Sequence, residues 1–281
     1  MKTLFFCLSL CVMAAPVAAE PRLVMLDVGE GQALLLQQGA RGVLIDTGHP
    51  GMSRRLLARL GALGVKRLDY LILTHLHPDH AGGYFRLREA FPRTPVLYSG
   101  HPLPADVRPD LVRWVNDALA QDAHRRLLRA GEDISWQGMH IEVLWPEAFS
   151  GDNLNRHSLV LLLHYAGLKL LIMGDADAVV EQALLEQNKL PADIDVLVTG
   201  HHGAADATSA SFVDRLSPRL ALISVNAGNV RGYPGEEVLQ RLEKAGAEVL
   251  RTDRHGELRL DLCGRKKDGR CIISVETEQK P

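Results

Sequence analysis

The chain has 281 residues, 46% of them hydrophobic and 23% charged, with a formal net charge of -2. These proportions describe a soluble, globular, enzyme-sized protein of one large or two small domains. The near-neutral balance excludes a protein that coats nucleic acid through bulk charge, so a polyanionic substrate would have to be held locally.

The opening stretch, MKTLFFCLSLCVMAAPVAAE, places a lysine ahead of an apolar run from Leu4 to Ala15, with the small residues Val17 and Ala19 before Glu20. That order predicts a secretory signal peptide, residues 1–19, cut after Ala19 and too short to span a bilayer comfortably. Leu10 precedes Cys11 where a lipoprotein would need a small residue. Residues 20–281 are expected to form a single domain, exported to a periplasm or secreted, without stable membrane association after cleavage.

PRLVMLDVG, QALLLQQG and RGVLIDTG are short apolar runs that end in Gly- or Asp-containing turns, and they predict a strand meander. Met52 to Leu63 has apolar positions at helical spacing and glycine stops at Gly61 and Gly64, which predicts a helix. DYLILTH is an apolar strand that carries a histidine cluster at its end. HIEVLWP and SLVLLLHYAGLKLLIMGD predict further strands, followed by a helix from Ala178 to Gln187. The strands DIDVLVTGHHG and RLALISVN, a helix from Glu236 to Ala245 and the strand AEVLRTD complete this half. Several strands end in His or Asp, as an active site on the edge of packed sheets requires.

LRLDLCGRKKDGRCIISVE reads as a hairpin, two alternating apolar runs around a polar loop containing glycine. Cys263 and Cys271 flank that loop, and in an oxidising compartment they are expected to form a disulfide, contributing on the order of 2–3 kcal/mol if unstrained. Two thiols with no C-x-x-C pair make a cysteine metal site the weaker alternative.

LTHLHPDHAGG, Leu73 to Gly83, concentrates three histidines and an aspartate in six residues. On a tight loop, alternate side chains point the same way, so His75 and His77 face one cation while Asp79 and His80 face a second. Imidazole and carboxylate donors suit Zn first, with Mn or Fe as alternatives. Gly82 and Gly83 leave room for backbone to pack behind the loop.

THLHPDH resembles the H-x-H-x-D-H signature of the metallo-β-lactamase superfamily. LDVGEGQALLLQQGARGVLIDTG, NRHSLVLLLHYAGLKLLIMGD, VLVTGHHG and RTDRHGEL resemble, in the same order, blocks of the ComEC-type metallo-hydrolase domain of DNA-uptake proteins. The matching segments run from about Leu23 to Leu260. The resemblance implies an α/β fold, an αββα sandwich that holds two divalent metal ions at its sheet edges. It implies one metal at His75 and His77 and the other at Asp79 and His80, with Asp175 bridging and His201 or His202 completing the second site. For the remaining ligand of the first site, ComEC-type sequences offer Asn155 and the wider superfamily a histidine. His157 is chosen over Asn155 because neutral imidazole is the better donor to a borderline-soft cation. ComEC-type sequences also often carry Asp where this chain has His77.

Two such cations would lower the pKa of a shared water, giving hydroxide at the reacting centre, and Asp79 and Asp175 would hold and orient metals and nucleophile. The expected function is an exported dinuclear hydrolase, a phosphodiesterase or nuclease acting on DNA or a phosphorylated polymer. The substrate class follows from the ComEC-type likeness and from Asp175, where lactamases of this fold usually have Cys. A lactam, lactone or thioester hydrolase on the same site is one alternative. A non-catalytic module that binds DNA or an unnamed protein partner is the other. Tyr233 stands where the related block commonly has His before Pro, and with Asp253 and His255 it is a candidate for substrate contact or proton donation. Arg86, Arg88, Arg93, Arg125 and Arg126 could line a phosphate path. His49, His101, His124, His140 and His164 read as surface or satisfied buried side chains. With 5% aromatic residues, no stacking platform for single strands is evident.

Overall fold

The structure is a computed structural model that describes residues 20–103, 107, 110–149, 151–267 and 270–278. The expected signal peptide, residues 1–19, lies outside the described residues. The first half runs β1 (Arg22–Met25), β2 (Leu34–Gln38), β3 (Arg41–Ile45), α1 (Ser53–Ala62), β4 (Arg67–Leu73), α2 (Pro78–Ala81), α3 (Tyr84–Ala90), β5 (Val96–Tyr98), α4 (Asp110–Gln121) and β6 (Arg125–Leu127). The second runs β7 (Asp133–Trp136), β8 (Met139–Trp145), β9 (Val160–Tyr165), β10 (Leu168–Ile172), α5 (Ala178–Glu186), β11 (Val196–Val198), α6 (Ala210–Leu216), β12 (Leu220–Ile223), α7 (Glu236–Lys244), β13 (Glu248–Arg251) and α8 (Thr252–His255). The hairpin β14 (Leu258–Lys267) and β15 (Arg270–Thr277) returns to the first sheet.

Alternation along the strands creates the layers. Leu23 and Met25, Leu34 and Leu36, and Val43 and Ile45 face Leu161, Leu163, Leu170, Ile172, Val196 and Leu222 in one buried cluster between two sheets. The intervening residues Val24, Leu35 and Leu44 point the other way, onto Leu56 and Leu60 of α1 and Val112 and Val115 of α4. In the second sheet Leu162, Leu171 and Leu197 pack on Val180 and Leu184 of α5, Phe212 of α6 and Val238 of α7. The central strands are therefore buried on both faces, which is why their sequences read as near-continuous apolar runs. Each fully buried side chain of this kind contributes about 1.5–3 kcal/mol. The result is the αββα sandwich, with sheet orders β15-β14-β1-β2-β3-β4-β5-β6 and β13-β12-β11-β10-β9-β8-β7.

The meander β1-β2-β3 is antiparallel as expected, and α1 stops at Gly64, whose φ of 77° suits glycine at a helix end. Helix α4 was not separated from its surroundings in the sequence, although Val112, Val115 and Leu119 form its buried stripe. Cys263 and Cys271 are joined by a disulfide across β14 and β15, with a Cα–Cα distance of 4.7 Å. Strands β3 to β6 are parallel, as are β10 to β13. The carboxyl ends of β4, β10 and β11 lead directly into the histidine- and aspartate-bearing segments. Among the described residues, no helix is long and apolar enough to cross a membrane.

Candidate metal centre

After β4 the chain bends at Thr74, is extended at His77 and turns into α2 at Pro78, so His75 and His77 precede the helix while Asp79 and His80 lie in its only turn. This change of backbone direction aims the two pairs at different places. The glycines around it are required by close approach. A Cβ on Gly82 would lie 2.3 Å from Cδ of Pro50, and one on Gly31, at φ 99°, would lie 1.9 Å from the Asp79 carbonyl oxygen. The neighbouring Gln32 N–H donates to that same carbonyl at 3.0 Å, so the β1–β2 loop holds the metal-binding turn from behind.

Two groups of donor atoms gather here: Asp79, His80, Asp175 and His202, and His75, His77 and Asp175. In the first, His80 Nε2 is 3.0 Å from Asp175 Oδ1 and 3.2 Å from His202 Nε2. His202 Nε2 is 3.5 Å from Asp175 Oδ1 and 3.6 Å from Asp79 Oδ2. In the second, His75 Nε2 is 3.0 Å from His77 Nδ1 and 3.7 Å from Asp175 Oδ2. Asp175 thus presents one oxygen to each group. A cation held tetrahedrally at 2.0–2.1 Å places its donors roughly 3.3 Å apart, which these spacings match. Asp175 is 2% exposed, and the His80 and His202 rings stand against its Oδ1. A carboxylate this buried is stable only beside positive charge, which protonated imidazoles or bound cations supply.

A second layer fixes the rings. His80 Nδ1 is 2.8 Å from Oδ2 of the fully buried Asp46, which also accepts from Gln32 Nε2 and from the N–H and hydroxyl of Thr74. His202 Nδ1 is 2.9 Å from the Ser224 carbonyl oxygen, and His75 Nδ1 is 3.3 Å from Ser158 Oγ. All three rings therefore turn Nε2 inward, the arrangement in which an outer acceptor fixes the tautomer of a ligating histidine.

The choice between His201 and His202 is made by backbone. Both lie in the left-handed region, at φ 47° and 56°, followed by Gly203 at 76°. Their rings diverge to 6.4 Å, with His202 in the donor group and His201 on the wall of the adjoining cleft. Left-handed non-glycine residues are uncommon and cluster at functional sites.

Burial pushes the His75 and His77 imidazoles below their usual range, and the charge of His80 adds to this at His75. Burial acts the same way on His80 and His202 but is outweighed by carboxylates, Asp175 and Asp46 beside His80 and Asp175 and Asp79 beside His202, so both are held above it. Burial alone would raise the Asp79 and Asp175 carboxyls. The hydrogen bond from His202 and the charge of His80 hold Asp79 down, and the charges of His80 and His202 hold Asp175 well below the carboxylate range. At His80 and His202 the imidazoles and the carboxylates beside them favour each other's charged forms, and a cation entering there would displace protons.

The expectation for His157 is corrected. Its Nε2 faces the Gly151 carbonyl at 3.2 Å and its ring stacks on His101 at 3.7 Å, outside both donor groups. Asn155, two residues earlier on the same short 3-10 turn, reaches the cleft instead, with Nδ2 3.3 Å from His201 Nε2. The turn points the two side chains to different sides, which donor strength alone could not indicate.

His255 is bonded back to the end of β13, its Nδ1 accepting from the Arg251 N–H at 3.0 Å, and it does not line the cleft. Asp253 pairs with Arg251 at 2.6 Å and lines a neighbouring groove that shares Glu30 and His49 with the cleft. Tyr233 stands edge-on to His201 at 5.5 Å. Of the five arginines considered, Arg86 pairs with Glu89, Arg88 with Asp122 and Arg126 with Glu132, Arg125 donates to the Ala120 carbonyl, and Arg93 lines a separate pocket. None of them lines the cleft, which has a volume of about 480 Å³. Asp46, Arg231 and Glu30 are not singled out by the sequence reading. Asp46 was signalled only by a carboxylate ending the apolar run of RGVLIDTG, and Arg231 by nothing local.

Residues 26–227 match the sequence profile of the metallo-beta-lactamase superfamily. The chain is 30% identical over 269 residues to "ComE operon protein 3" of Bacillus subtilis (strain 168), covering 86% of this chain and 33% of that protein. It is 31% identical over 241 residues to "Recombination protein 2" of Haemophilus influenzae, covering 84% of this chain and 28% of that protein. The chain thus spans a third or less of the length of these relatives. Its fold is similar to that of the metallo-beta-lactamase fold protein YhfI from Bacillus subtilis, with a TM-score of 0.54 and 13% identity, covering 92% of this chain and all of that one. Residues 221–281 also match a 2Fe-2S iron-sulfur cluster binding domain. That segment has only Cys263 and Cys271, joined in a disulfide, and does not fit a cluster held by four side-chain ligands.

Proposed function

Because the chain belongs to the metallo-β-lactamase superfamily and gathers the donors of two metal sites, we propose that it is an exported, metal-dependent phosphodiesterase, a nuclease or a hydrolase of a phosphorylated polymer. The observation that carries this reading is Asp175, one carboxylate shared by two donor groups at the floor of an open cleft. His75, His77 and Asp175 would hold one cation, and Asp79, His80, Asp175 and His202 the other. Nitrogen and oxygen donors favour Zn, with Mn or Fe as alternatives. When bound, two divalent cations supply Lewis acidity, acidifying water and neutralising charge on phosphoryl oxygens.

The protein's own contribution is positioning. Asp46 and the Ser224 carbonyl hold His80 and His202 with Nε2 inward, and Asp79 and Asp175 remain ionised to receive cations. The name "Recombination protein 2" of one relative supports a DNA substrate, and the open cleft supports an extended one. Export rests on the order of charged, apolar and small residues in the first nineteen positions.

The test is metal content by elemental analysis of protein purified without chelator, paired with hydrolysis of bis-p-nitrophenyl phosphate by wild type and Asp79→Ala. Bound metal and turnover that depends on Asp79 are expected. Turnover of nitrocefin or a lactone alone would overturn the phosphodiesterase reading, and bound metal without any turnover would favour a binding module.

A further inference from the structure

The segment between β12 and α7 contributes Arg231 to the lining of the cleft, and its base is fastened. Asn229 Oδ1 accepts from the Tyr233 N–H at 2.8 Å, and Asn229 Nδ2 donates to the carbonyls of Tyr233 at 2.7 Å and Asn226 at 3.0 Å. The Gly235 N–H donates to the Gly203 carbonyl at 2.8 Å, which ties the segment to the turn that carries His202. From this fixed loop Arg231 reaches back over the donor groups. Its Nη2 is 3.0 Å from Glu30 Oε1 and its Nη1 is 3.9 Å from Asp79 Oδ2. Among the described residues, it is the one arginine or lysine that lines the cleft.

A guanidinium stays charged at any working pH and presents five N–H donors in a rigid fork, a geometry that matches the paired oxygens of a phosphoryl group. Glu30 engages one arm of this fork and leaves the other aimed toward Asp79, where substrate oxygens would arrive. The Glu30 carboxylate also places a negative charge at the cleft mouth. A phosphate with a second negative charge meets about twice the repulsion there that a singly charged diester meets.

Resting on the phosphodiesterase reading, we propose that Arg231 binds a non-bridging oxygen of a singly charged phosphodiester, with Glu30 as the positioning residue that holds the guanidinium and disfavours phosphomonoesters. Charged hydrogen bonds of this kind are worth roughly ten- to a hundredfold in affinity. Arg231→Gln should therefore raise KM for bis-p-nitrophenyl phosphate by roughly that factor, with metal content unchanged. Arg231→Lys, which keeps the charge and loses the fork, should fall between Arg231→Gln and wild type. Glu30→Gln should raise turnover of p-nitrophenyl phosphate relative to the diester several-fold.

The experiment measures those kinetics together with elemental analysis and calorimetric binding of dimethyl phosphate, a singly charged diester, to each metal-loaded protein. Wild-type kinetics in Arg231→Gln would overturn the assignment and leave the phosphodiesterase reading standing. An unchanged diester-to-monoester ratio in Glu30→Gln would remove the role given to Glu30. If wild type turns over no phosphodiester, that reading fails by itself. Dimethyl phosphate binding lost in Arg231→Gln would then sustain the recognition role, and equal binding or none by the two proteins would end it.

Discussion

The two halves of the metal centre share Asp175 but are built differently. Around His80 and His202 the four donor residues are all buried, and the outer ring nitrogens meet a fully buried carboxylate at 2.8 Å and a backbone carbonyl at 2.9 Å. Around His75 there are three donors, His77 is only partly buried, and the outer nitrogen of His75 has hydroxyls at 3.3 Å. The contrast teaches that the same donor chemistry gains rigidity from what stands behind it. The expected consequence is that the His80 half would hold a cation more tightly than the His75 half, whose His77 is nearer to solvent.

The largest effect should come from removing what the halves share. Asp175→Ala takes a donor from both, and metal content and turnover should fall by more than the ~10–100-fold that loss of an outer partner costs. Retention of both metals in this variant would show that the carboxylate does not bridge. Next, His202→Ala and His77→Ala should separate the halves. A chelator titration of the wild type should release metal in two steps, and each variant should lose a different step. If His77→Ala loses the tighter step, the order of affinities is reversed.

A smaller effect belongs to the second layer. Asp46→Asn should weaken the metal of the His80 half by about 10–100-fold, with full stoichiometry recovered in excess Zn. Equal weakening of both steps would mean that Asp46 serves the whole fold and not that half. On the other side, His157→Ala should leave metal content unchanged, whereas Asn155→Ala should alter only the looser step. Loss of a metal in His157→Ala would restore His157 as a ligand.

The smallest effect concerns the ring stack near the His75 half. Burial pushes His101 down to about 4, the charge of His157 adds to this, and Asp152 opposes it. In the fold His101 is therefore neutral, while in the unfolded chain it takes up a proton near pH 6.5. Its contribution to stability is intact above that pH, declines as pH falls toward about 4, and changes no further below. Metal-free wild type should lose on the order of a few degrees of Tm over this window beyond what His101→Gln loses. Parallel curves for the two proteins would show that the stack does not titrate.

Much of the architecture was legible in the chain. Unbroken apolar runs over Leu23–Met25, Leu34–Leu36 and Val43–Ile45 identify strands buried on both faces, and Gly64 marks the end of α1. Cys263 and Cys271 declare their pairing by flanking one hairpin loop. Helix α4 was missed because its apolar stripe follows PLPADVRPD, a proline-containing segment that reads as a loop.

Within the site, sequence by itself determined the donor-rich turn, because His75, His77, Asp79 and His80 are neighbours whose directions are set by one local break, the extended His77 followed by Pro78 at the start of α2. Tertiary structure alone decided the rest. His202 enters the donor group and His201 does not because of a left-handed turn after β11. Asn155 reaches the cleft in place of His157, Asp46 supports His80 from just after β3, and Arg231 arrives from the connection between β12 and α7. The reason is physical. These side chains belong to strands and loops of two sheets, and which atoms meet is fixed by how the apolar core between the sheets packs, a property of no single stretch of sequence.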